Sequence, residues 1–139
     1  MSKKYHSTLE VRGYELDGFG HVNHAVYFNY LEHARWEMLT LAEITLAKFN
    51  EWKRWPVVAE IQASYLKPTF MGEKLDVESQ IVETGKTNFM IEQTILRNAV
   101  PVFKAKVRIV MVDEKGRPGA MPEQCKTMWE VQSTEAVVK

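Results

Sequence analysis

The sequence predicts an α+β fold of two layers, one long helix packed on an antiparallel sheet of about five strands. Three observations carry that prediction. A single long stretch, from about Ala25 to Phe49, repeats its apolar residues with a helical period. Four later stretches alternate apolar and polar residues, as half-buried strands do. The links after Val82 and Arg97 are too short for helical crossovers and suit hairpins.

Taken in order, Ser7 to Arg12 is a short first strand. A loop from Gly13 to Asn23 follows, punctuated by Gly13, Gly18 and Gly20. In the helix, Tyr27, Leu31, Ala34, Met38 and Leu41 recur at steps of 4, 3, 4 and 3 and share one face. Glu32, Arg35, Glu37 and Glu43 fall on other faces. The second strand places Val57, Ala59, Ile61, Ala63 and Tyr65 on one side, with Glu60, Gln62 and Ser64 on the other, and Pro68 and Gly72 interrupt it. Leu75, Val77, Ser79 and Ile81 pattern a third strand that ends at Val82. Gly85-Lys86-Thr87-Asn88 is a turn, and Phe89 to Arg97 is a fourth strand. A fifth, Val102 to Asp113, puts Phe103, Ala105, Val107, Ile109 and Met111 on one side. Glu114 to Pro118 is a turn, and Pro122 to Val131 a short helix opened by proline. One helix cannot cover both faces of such a sheet, which leaves room for a second subunit.

Composition narrows the function classes. The 139 residues, without repeats or linkers, are expected to form one domain, 1–139. Eighteen basic residues balance 18 acidic ones, which argues against a nucleic-acid partner. The longest apolar runs, Val57 to Ala59 and Ile109 to Val112, fall far short of the roughly 20 residues that span a bilayer. The basic start lacks the apolar stretch of a secretory signal. A lone Cys125 makes no intramolecular disulfide, consistent with a cytoplasmic protein.

Chemistry concentrates between Tyr14 and Arg35, which holds three of the four histidines. The first N–H groups of a helix lack intrahelical acceptors, and the helix dipole there favours developing negative charge. Asp17 lies just upstream, where a carboxylate can act on a carbonyl held by those donors. Read as residues alone, Asp17 before Gly18 is a turn former first, and only its spacing in a family pattern reverses that. His21 and His24, with His33 beyond, lack the third ligand and spacing of a zinc site, so no metal is expected. Gly18 to Asn23 misses the last glycine of a dinucleotide loop, and there is no G-x-S-x-G elbow. Cys125 reads as a packed apolar residue. Glu32 and Arg35 form an exposed helix pair, or Glu32 turns to the site. Trp36, Trp52, Trp55 and Trp129 with the methionines belong to a core and interface, or line an acyl tunnel.

The segment resembles the signature of the 4-hydroxybenzoyl-CoA thioesterase-type hotdog family: an Asp, a Gly three residues on, an aromatic or His at seven, then a Tyr and an Ala-Arg pair. Asp17, Gly20, His24, Tyr27 or Tyr30, and Ala34-Arg35 occupy those positions. The order of strand, helix and four strands is also that of the hotdog fold, a sheet wrapped around one helix. The resemblance implies an acyl-CoA thioesterase without metal or cofactor. Asp17 would be nucleophile or general base, and the His24 N–H would bind the thioester oxygen. Gly20, His21 and Tyr27 would sit at the substrate, with Lys86 and Thr87, and also Lys67, near a CoA phosphate. Gly20-His21-Val22-Asn23-His24 is similar as well to the His-Val-Asn motif of acyl-carrier-protein thioesterases, though Phe19 stands where those carry Asn. The resemblance further implies a homodimer or homotetramer with shared sites. A hotdog hydratase or dehydratase and a non-catalytic acyl-thioester binder are the alternatives.

Overall fold

The structure, a computed structural model, describes residues 4–130. Five strands, β1 (Lys4–Glu10), β2 (Trp55–Tyr65), β3 (Lys74–Thr84), β4 (Asn88–Arg97) and β5 (Val100–Val112), form one antiparallel sheet in the order β1-β3-β4-β5-β2. Helix α1 (Val26–Leu41) packs on one face, followed by α2 (Leu46–Trp52) and, near the end, α3 (Glu123–Glu130). The expected α+β hotdog architecture is present. Val131, the expected helix end, and the Trp129 side chain lie outside the described residues.

Alternation sorts the sheet as expected. Phe103, Val107, Ile109 and Met111 are buried beneath the helices, with Leu75, Val77 and Ile81 on β3 beside Ile91 and Ile95 on β4. The α1 stripe is buried at Tyr27, Leu31, Ala34 and Met38, while Leu41 is half exposed and Tyr30 joins the core instead. The centre of this inner face is polar. Gln93, fully buried, donates to the Leu31 carbonyl (3.0 Å) and to Ser79 Oγ (2.9 Å), and accepts from Arg35 Nη1 (2.9 Å). With those bonds the amide is satisfied, so it ties α1 to the sheet at little cost.

Two expectations are corrected. The helix does not run on to Phe49: Glu43 adopts φ 60°, its N–H donates to the Thr40 carbonyl, and Ile44 N–H reaches back to Leu39. This is a Schellman termination, closed by burial of Ile44. Thr45 then caps α2 through its side chain, which accepts from Lys48 N–H. Strict alternation in β2 also fails, because a bulge at Ala59 shifts the register. Val58, opposite Ile109, faces the helices, and Val57, opposite Val110, faces away. Strand β1 begins three residues before the expected Ser7 and stops at Glu10.

Candidate active site

The loop between β1 and α1 is built around two carboxylates. Glu15, only 6% exposed, accepts from the Arg12 backbone N–H (2.8 Å), from Arg12 Nη2 (2.8 Å) and from Tyr30 Oη (2.7 Å). Burial alone would raise its pKa, but the bonds from Arg12 and Tyr30 outweigh that and hold it below the usual carboxylate range. The same contact, together with burial, pushes the Tyr30 phenol upward. Glu15 thus fastens the loop to the helix. Its backbone carbonyl also takes Asn23 N–H (2.9 Å).

Beyond Glu15 the chain makes a tight hairpin. Leu16 bridges to Val22, and Asp17 N–H donates to the His21 carbonyl (2.7 Å). Gly20 supplies the turn with φ 79°, a conformation strained for a side-chain-bearing residue. Asp17 Oδ1 accepts from Phe19 N–H (2.8 Å) and His21 N–H (3.1 Å), which leaves Oδ2 without a donor among the described residues. The turn-former reading of Asp17 is therefore correct, and it leaves one carboxylate oxygen for chemistry. Asn23 continues into the helix: its Oδ1 accepts from Ala25 N–H and its carbonyl from Val26 N–H, each at 2.9 Å. His24 sits between, side chain exposed, and its N–H has no acceptor among the described residues. Its carbonyl is held by Tyr65 Oη at 2.8 Å.

Asp17, His21, His24 and Tyr27 line one open depression of about 280 Å³, with Tyr65, Leu66, Lys67 and Pro68 opposite. Gly20 shapes the hairpin without lining it. Tyr27 enters from the core, stacked on Phe103 (4.9 Å) with its hydroxyl paired to Thr69 Oγ1 (2.8 Å), and burial raises its pKa. His21 packs edge-on against Phe70 (5.1 Å). Lys86 and Thr87 are elsewhere. Their carbonyls accept from Met121 and Met111 N–H beside the start of β4, whose Asn88 pairs with Val110. The depression lies at the Tyr65–Phe103 end of the sheet, seven residues away along β5 and so roughly 23 Å distant within one protomer.

Tyr65, Arg12 and Thr69 are the contributors that the sequence did not single out for the site. Tyr65 carried a signal, as the last inward residue of an alternating strand. Among the described residues no cluster of side chains is arranged to hold a metal, and no helix is long and apolar enough to cross a membrane.

A five-stranded antiparallel sheet folded on one long helix, with a carboxylate hairpin at that helix's N-terminus, is the architecture of a hotdog-fold protein. Residues 11–129 match the Thioesterase-like superfamily, and the chain belongs to it. It is 33% identical over 129 residues to the acyl-acyl carrier protein thioesterase ATL3 of Arabidopsis thaliana, covering 91% of this chain and 68% of that one. It is 30% identical over 114 residues to the acyl-CoA thioesterase YbgC of Haemophilus influenzae, covering 81% and 84%. A solved hypothetical protein of Aquifex aeolicus superposes with a TM-score of 0.84 at 25% identity, covering 89% of this chain and 98% of that one.

Proposed function

We propose that the chain hydrolyses acyl thioesters of coenzyme A, in the cytoplasm, as a homo-oligomer. The observation that carries this reading is that Asp17 and His24 line one depression, with Asp17 Oδ2 and the His24 N–H both without protein partners among the described residues. A thioester carbonyl seated there receives the His24 N–H at its oxygen. In the general-base form, Asp17 takes a proton from water as the water oxygen bonds to the carbonyl carbon. The oxyanion that forms is stabilised by the amide and the positive end of α1. Collapse breaks the C–S bond, and the thiolate leaves and takes up a proton. In the nucleophilic form Asp17 attacks the carbonyl carbon, and the C–S bond breaks to release the thiolate and leave a mixed anhydride. Water then hydrolyses that anhydride to the free acid and the Asp17 carboxylate. Val26 N–H holds the Asn23 carbonyl, which shares its peptide plane with the His24 N–H, so the donor is aimed before substrate arrives. Lys67, on the rim, suits the phosphates of the carrier.

The exposed β2 edge supports the oligomer. Among the described residues its ladder is paired only to β5, and Val57 and Val58 are 46% and 41% exposed. A second copy aligned on that edge would also roof the open depression. One finding favours a second carrier: ATL3 is named for acyl-carrier-protein thioesters. The test is free-thiol release from a panel of acyl-CoA and acyl-carrier-protein thioesters, with Asp17→Ala in parallel. Turnover that vanishes in Asp17→Ala is expected. Full kcat in that variant would overturn the mechanism.

A further inference from the structure

The inner side of α1 and the sheet enclose a second cavity, of about 120 Å³, further along the same helix. That is on the order of the roughly 150 Å³ that admits a benzene ring. Met38, Leu39, Phe49 and Ile91 give it apolar walls, interrupted by Glu32 and Arg35. Arg35 is half-buried, and burial lowers its pKa. Its Nη1 is held by Gln93, which is itself fixed by Leu31 and Ser79, so the guanidinium orientation is set. The remaining guanidinium N–H groups have no acceptor among the described residues, and their nitrogens are not sealed off. Glu32 acts on Arg35 electrostatically without forming an ion pair with it. Tethering α1 to β4 needs one of these donors. The unused donors, open to solvent, are free to meet an oxygen acceptor on a ligand.

The straight path from the depression at Asp17 to this cavity runs along α1 beside β2. From His24 to Arg35 is 11 residues, roughly 16 Å of helix. Phe28 and Trp36, each 40% exposed, flank that path on α1. Facing it on β2 are Tyr65, Ala63 and Ile61, paired across the ladder with Phe103, Ala105 and Val107 on the inner face. An extended chain advances roughly 1.2 Å per bond, so about a dozen carbons span from the His24 N–H to the guanidinium.

We propose that Arg35 is a specificity residue, selecting acyl chains of about a dozen carbons that carry an oxygen acceptor at their far end. The inference rests on the thioesterase reading and deepens it. It is tested by calorimetry with two coenzyme A thioethers that cannot be hydrolysed, S-dodecyl and S-(ω-hydroxydodecyl). The hydroxylated ligand is expected to bind the wild type about tenfold tighter, the worth of a hydrogen bond to a charged group. Arg35→Met brings the ratio to about one, and Arg35→Lys, which keeps a cation on the same helix, retains part of it. Equal binding of the two ligands to the wild type overturns the inference and leaves the thioesterase reading standing. A preference that persists in both variants also overturns it. Failure of both ligands to bind overturns the inference, while the thiol-release panel judges the thioesterase reading separately.

Discussion

Tyr65, at the end of β2, donates its hydroxyl to the carbonyl of His24, 2.8 Å away at the head of α1. This bond crosses from the edge strand to the helix start and fixes the His24–Ala25 peptide plane, adjacent to the one that carries the His24 N–H. Tyr65 is half exposed, so removing its hydroxyl leaves the core intact. Tyr65→Phe is therefore expected to lower kcat by about tenfold or less, the worth of one hydrogen bond, with the melting temperature almost unchanged. Steady-state kinetics and thermal unfolding of the same preparation check this. A matching fall in stability would show that the bond holds the fold and not the donor.

Asp17 carries two jobs on two oxygens, and substitutions separate them. Asn retains an Oδ1 acceptor for the Phe19 and His21 N–H groups but cannot serve as base or nucleophile. Asp17→Asn is expected to keep its stability within about 0.5 kcal/mol while turnover falls by roughly 10²–10⁴. Asp17→Ala loses the hairpin bonds as well and should be less stable by about 1 kcal/mol per bond. Denaturant unfolding beside thiol-release assays distinguishes the variants. If Asp17→Asn retained most of its turnover, Asp17 would be a turn residue only.

Local pattern made most of the fold legible. Alternation assigned Phe103 to Met111 to the inner face, and steps of three and four assigned Tyr27 to Met38 to the core. The failures have local causes as well. The break at Glu43 depends on one residue taking a left-handed conformation, which an apolar period running through it conceals. The bulge at Ala59 changes which valine faces inward without disturbing composition. At the site, Asp17 to His24 could be read because those residues are close in sequence. Tyr65 and Thr69 join them only through the sheet, some 40 residues on: 65 − 24 = 41 for Tyr65 and His24, and 69 − 27 = 42 for Thr69 and Tyr27. No spacing rule reaches so far. Lys86 and Thr87 are grouped with the site by residue type and by their place in a turn at a strand end, and within one protomer the sheet holds them at its other end.

The β2 edge gives a prediction about assembly. Val57 and Val58 lie on opposite faces of an edge strand whose outer ladder is unpaired among the described residues. The wild type is expected to have a dimeric or larger mass in light scattering at micromolar concentration. Val57→Asp, on the face turned away from the helices, should shift it toward the monomer and lower turnover together, because the charge would be buried at the contact. A monomeric wild type would remove the oligomer from the proposal.

Glu15 gives a prediction in pH. Its folded-state pKa is lowered, so its stabilisation is fully present above the unfolded carboxyl value, about 4.3, and is lost as pH falls through the folded value. Glu15→Gln removes the charge that pairs with Arg12 while keeping an acceptor for Tyr30. At neutral pH it is expected to lower the melting temperature by roughly 3–6 °C, the cost of a charge-assisted hydrogen bond in a domain of this size. The gap from the wild type should then narrow between roughly pH 5 and pH 3, as Glu15 in the wild type takes up its proton. Thermal unfolding of both proteins across that range measures it. A gap that stays constant would mean that Glu15 acts through its packing. A gap that closes would identify its charge as the force clamping the β1–α1 loop, and with it Asp17, against the helix.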